Sequence, residues 1–130
     1  MDKFPEDKRT EVLFGRWSLK DILAHMSAWD LYSIECLDAL KRGKEPKWDL
    51  HVNAFNARAV KKRKDWTFKK VYKEWIEAGE KLIKAYRRLP EEIWDKKFWP
   101  NRRFTPKKFL EIDLEHYRDK HLPQLKKFLP

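Results

Sequence analysis

Four histidines, His25, His51, His116 and His121, are the residues on which chemistry could most readily be built. Imidazole ligates Zn²⁺ and Ni²⁺ and exchanges protons near neutral pH. The chain has a single cysteine, Cys36, and no G-x-x-x-x-G-K-S/T, G-x-G-x-x-G or H-E-x-x-H run. P-loop, dinucleotide and thiolate-zinc readings therefore lack their minimum parts. His25 stands at the edge of an apolar helical stripe, one turn before Trp29, where an interior histidine bonded to a neighbour is the ordinary alternative to a ligand. His116 and His121 are five positions apart. Spacings of three or four bring side chains onto one helix face, whereas five leaves them roughly 140° apart on an ideal helix. One ion held by both would strain a regular helix.

Other polar residues accompany the histidines. Asp30 and Glu115 lie near them in sequence and are the candidate acid/base residues or imidazole orienters, with surface carboxylates as the alternative. Asn53 and Asn56, one turn apart, either face a cavity or cap a helix start. His51, beside them, is expected to be exposed. Cys36 is expected to be buried and inert, and the 7 Trp to be core rather than a platform for stacked bases.

The elements that must position these residues read as helices. Ser18 suits an N-cap, with Asp21 three residues on as in a capping box with Asp for Glu. Leu19, Ile22, Leu23, Met26, Trp29, Ile34, Leu37 and Leu40 then recur mostly three or four apart, up to Gly43 and Pro46. A shorter helix is predicted from about Leu50 to Arg63, with Val52, Phe55 and Ala59 on one side. Thr67 caps a third, running through Phe68, Val71, Trp75, Leu82 and Tyr86 to Pro90. Residues 90–105 read as an irregular connection whose Trp94, Phe98 and Trp99 pack onto the bundle. Thr105-Pro106 opens the last helix. There Phe109, Ile112 and His116 form one row and Leu110, Leu114, Tyr117 and His121 an adjacent one, with a kink or wide turn at Pro123. No segment alternates with period two, so the fold class is all-α, in a single domain over 1–130.

The totals agree with such a domain. Hydrophobic residues make up 42% of 130, enough for one core. The N-terminal residues lack the apolar core of a signal peptide, and no apolar run reaches the ~18–20 residues of a membrane span. The expected setting is cytoplasmic, with no membrane partner. Net charge is +10, from 31 Lys+Arg against 21 Asp+Glu. Nucleic-acid binding is the lesser reading of that excess, because the basic residues are interspersed with acids and the densest run, Lys61-Lys62-Arg63-Lys64, is one turn long. A highly charged solvent face, as in many thermostable proteins, is the alternative.

The run from Trp17 to Asp30, WSLKDILAHMSAWD, resembles the W-S-x-K-D-x-x-A-H-x-x-x-W-[DE] signature of the DinB/YfiT-like superfamily. Val52 to Ala57, Leu89 to Glu92 and Glu115 to Leu122 are similar to later landmarks of its colibactin self-resistance (ClbS/DfsB) branch, so that the resemblance spans about Trp17 to Leu129. It implies an up-down four-helix bundle whose metal-binding members use three histidines. By position these are His25, His116 and His121, holding Zn²⁺ or Ni²⁺ with an open position for water or substrate. Trp29, Asn53, Asn56 and Tyr117 are then the expected cavity residues. The activity implied is hydrolysis or thiol transfer on a small electrophilic or toxic molecule. The alternative is a non-catalytic stress-response or binding module with a vestigial histidine site.

The chain departs from that pattern twice. The final pair is H-x-x-x-H in the family and is one residue wider here, which a π-bulge would absorb. Only sixteen residues precede Trp17, too few for the usual first helix, and they include Pro5 and Gly15. A shortened or missing helix leaves an apolar flank, for which a two-fold homodimer is the expected cover.

Overall fold

The computed structural model describes residues 9–10, 12–14 and 17–116, with the backbone alone for 12–14 and 116. Four helices carry the fold: α1 (Leu19–Lys41), α2 (Val52–Lys62), α3 (Phe68–Arg87) and α4 (Pro106–His116). The chain is thus mostly helical. No helix among the described residues is long and apolar enough to cross a membrane.

The capping box at Ser18 forms as expected. Ser18 is extended (φ −90°, ψ 172°), its Oγ accepts from Asp21 N–H at 3.2 Å, and Asp21 Oδ2 accepts from Ser18 N–H at 3.0 Å. Such a cap contributes about 1 kcal/mol and fixes where α1 starts. At its far end Gly43 takes φ 70° and turns the chain away, a conformation costly for residues with a Cβ. α1 is buried on several sides, with Leu19, Ile22, Leu23, Ala24, Cys36 and Leu37 all at 1% exposure or less. It is the spine of the bundle. α3 starts at Thr67, whose Oγ1 accepts from Lys70 N–H at 3.2 Å. It lies along α1, where Val71 joins Leu19, Leu23 and Ala24 in one core cluster.

The connection 90–105 packs as the sequence predicted. Phe98 and Trp99 are buried, and Trp99 Nε1 donates to the Pro46 carbonyl at 2.7 Å. The Phe98 and Phe109 rings sit 4.6 Å apart. Tyr86 Oη donates to the Pro106 carbonyl at 2.8 Å, tying α3 to the start of α4. Thr105 Oγ1 accepts from Lys108 N–H at 3.1 Å, with Pro106 at the first helical position.

Three details differ from the sequence reading. A short antiparallel ribbon, β1 (Val12–Phe14) with β2 (Trp17–Ser18), precedes α1 and adds a small non-helical element. Strands of two and three residues are too short to show alternation. Val52 opens α2 at 54% exposure, while Phe55 and Ala59 are buried. In α4 the inward row is Pro106, Phe109 and Asp113 rather than Phe109 and Ile112. Ile112, 38% exposed, borders a cavity instead of a filled core, and Leu114 is 59% exposed. The kink at Pro123 lies outside the described residues, as does the segment between His116 and His121 where a widened turn was expected.

Candidate functional site

A cavity of about 430 Å³ opens between α1, α2 and α4. α1 supplies His25, Met26, Trp29, Asp30 and Ser33, which recur three and four apart on one side of the helix. α2 contributes Val52 and Asn56, α4 contributes Phe109, Ile112 and Asp113, and Leu50 and Phe104 complete the wall from the connections.

Trp29 is fixed on both its polar and its apolar side. Its Nε1 donates to Asn56 Oδ1 at 2.7 Å, and its ring stacks on Phe55 with centroids 3.9 Å apart. His25 is 1% exposed, with the Trp17 ring 4.6 Å away. Capping at Ser18 sets the register that delivers both side chains to the cavity.

The two carboxyls are the electrostatic feature of the site. Burial pushes Asp30 up from the ordinary 3.8 to about 7, helped by the charge of Asp113. Burial likewise raises Asp113 to about 6. The two carboxyls therefore titrate as a coupled pair, the first to ionise holding the proton on the other. Asp113 Oδ2 is buried and has no hydrogen-bond partner among the described residues. Behind the pair, the Tyr86 hydroxyl is raised by burial first and by Asp113 next. Burial likewise lifts the Cys36 thiol to about 12, so that it is inert as a nucleophile near neutral pH.

Of the residues singled out from the sequence, His25, Trp29, Asp30 and Asn56 meet in this cavity. Asn53 and Glu115 are exposed and are not among the residues of its described lining. α2 is rotated by Phe55 and Ala59 packing inward, and that rotation delivers Asn56 to Trp29 while Asn53 faces solvent. His51 is exposed, as expected. The side chain of His116, and all of Tyr117 and His121, lie outside the described residues. Asp113 was missed. Its signal was an acidic residue four positions after Phe109, on the inward side of an amphipathic helix, where a charge is costly and is usually there for a reason.

Comparison of the chain with protein-family models, with curated proteins and with solved structures finds no match. Among the described residues, no group of three or more His, Cys, Asp or Glu is placed to hold a metal ion. His25, Asp30 and Asp113 share a cavity without forming a ligand set, so the described part of the site does not by itself fit Zn²⁺ or Ni²⁺.

Proposed function

We propose that the chain is a DinB-like protein that takes a small electrophile into this cavity and opens it with water. Asp113 acts as base and Asp30 as acid. The observation that carries the reading is that two carboxyls from different helices line one largely apolar cavity, both raised above the ordinary carboxylate range by burial. Environments that split a pair of titratable groups mark acid and base roles. In the proposed step, ionised Asp113 takes a proton from water as the oxygen bonds to the electrophilic carbon. The bond from that carbon to its leaving atom breaks, and protonated Asp30 donates to the leaving atom. Trp29, Phe104 and Phe109 exclude bulk water from the reacting centre.

The test is hydrolysis of an aryl epoxide, a strained-ring probe, followed across pH 5 to 8. The rate is expected to peak between about pH 6 and 7, rising as Asp113 ionises and falling as Asp30 does. Asp113→Asn and Asp30→Asn are each expected to lower it roughly 10²-fold or more. A flat profile, or full activity in either variant, would reject the carboxylate mechanism.

The family's three-histidine arrangement is the competing form of the same proposal. It is decided by elemental analysis of untagged wild type and His25→Ala. Near-stoichiometric zinc or nickel, lost in the variant, would replace the carboxylate mechanism by a metal-dependent one. A second reading, a binding module without catalysis, draws on the lining itself, since Met26, Leu50, Val52 and Ile112 bring no reactive group. Probe binding without turnover would favour it.

A second copy of the chain belongs to the proposal too, in a cytoplasmic setting. Ile76 and Ile83, seven residues apart on α3, are 38% and 54% exposed, a spacing that puts both on one face. Light scattering is expected to give twice the 16.0 kDa chain mass. A monomer at micromolar concentration would exclude the dimer.

A further inference from the structure

The chain as a whole is strongly basic, at +10, yet the cavity inverts that sign. Its described lining holds Asp30 on α1 and Asp113 on α4 and no Lys or Arg; α2 brings only Val52 and Asn56. His25 on α1 is the one other titratable side chain of the described lining, and Tyr86 of α3 stands close enough to couple electrostatically with the pair and with Cys36. Surface cations more than a Debye length away, about 8–10 Å, are screened by salt. Within the described lining, what a ligand meets is therefore acidic.

The walls add a second kind of recognition. Three aromatic rings, Trp29, Phe104 and Phe109, line the same space. Phe104 and Phe109 meet edge to face, with centroids 5.7 Å apart, and the Asn56 bond locks Trp29 in place. Aromatic faces attract cations, most strongly where water is excluded. Asp113 Oδ2 makes no hydrogen bond to another described residue, so the described protein leaves this carboxyl without a neutralising partner. A volume of about 430 Å³ falls at the small end of the ~300–1,000 Å³ typical of ligand pockets.

We propose that the ligand of this cavity is a small organic cation: a protonated amine whose ammonium group is held by Asp30 and Asp113 while its apolar part lies among Trp29, Phe104 and Phe109. This rests on the binding-module reading of the cavity, in which the pair holds a ligand rather than passing protons to one, and names the class of molecule it takes. A neutral or anionic molecule of the same shape would leave the acidic pair uncompensated, or repel it.

Isothermal titration with three isosteric probes, 2-phenylethylamine, 2-phenylethanol and phenylacetate, at pH 7.5 tests the inference. The amine is expected to bind at least tenfold more tightly than the alcohol, and phenylacetate not at all. Asp30→Asn and Asp113→Asn, which keep the side-chain shape, are each expected to weaken the amine tenfold or more and leave the alcohol unchanged. Equal binding of alcohol and amine would overturn the cation preference while leaving the small-molecule cavity intact. Tighter binding of phenylacetate, or undiminished amine binding in both variants, would overturn it as well. Failure of all three probes to bind would overturn the inference and the small-molecule reading together.

Discussion

Replacing Glu74 with alanine is expected to destabilise the protein by about 3 kcal/mol, measured by urea unfolding at neutral pH. Arg63 follows the last residue of α2 and its side chain is 3% exposed. Its guanidinium is satisfied on three sides: Nε to Glu74 Oε1 at 2.5 Å, Nη2 to Glu74 Oε2 at 3.1 Å, and Nη1 to the Ala59 carbonyl at 3.0 Å. The Trp66 ring adds a cationic contact at 5.4 Å. Removing Glu74 strands a buried charge on one carbonyl, and stranding a charge costs more than the intact pair contributes. Losses of about 3–5 kcal/mol are typical of fully buried pairs, and the lower end applies because Glu74 is 21% exposed. Arg63→Met with Glu74→Leu is expected to recover most of the loss, since apolar replacement of both partners removes the charge problem. A Glu74→Ala effect below about 0.5 kcal/mol, the scale of a surface pair, would show that the bridge is solvated.

The second large effect runs the other way. Asp30→Asn is expected to raise stability at pH 8 by about 2 kcal/mol, or roughly 6–10 °C in Tm, while lowering the rate of the proposed hydrolysis. A carboxyl moved from 3.8 to about 7 corresponds to a penalty of at most about 4 kcal/mol once it is ionised. Solvent entering the cavity reduces that figure. Below pH 3.8 the group is protonated in both folded and unfolded chains and contributes nothing. Between 3.8 and about 7 the unfolded chain ionises while the folded one keeps its proton, so wild-type stability falls as pH rises; above about 7 the full penalty remains. Thermal unfolding of both proteins from pH 3.5 to 8 should show curves that converge at acid pH and separate through neutrality. Parallel curves would mean that Asp30 is not held up by burial in solution.

The helices were legible because their signals are local. Ser18 with Asp21, Thr67, and Thr105 with Pro106 each announce a helix start within four residues, and each makes the capping hydrogen bond in the structure. Half of the candidate site was legible for the same reason, since His25, Trp29 and Asp30 share the register that Ser18 sets. The rest depends on tertiary packing. Asn53 and Asn56 are indistinguishable by spacing, and only the rotation of α2 against Trp29 selects Asn56. Asp113 looks like any surface acid until Phe109 fixes which side of α4 turns inward. The ribbon at Val12–Phe14 and Trp17–Ser18 is made by cross-strand pairing, which no short stretch of sequence displays.

The cavity draws its two acids from opposite ends of the fold, on α1 and α4, with more than half of the chain between them. A ribosome adding about 5–20 residues per second completes α1 and α3 seconds before α4 emerges. Until α4 packs, Asp30 stands without its rival, and the contacts between α1 and α3 carry none of the repulsion. The cost of bringing the acids together falls on one late event, the arrival of α4. The electrostatic cost of the site is thus confined to the docking of one helix and spares the α1–α3 spine.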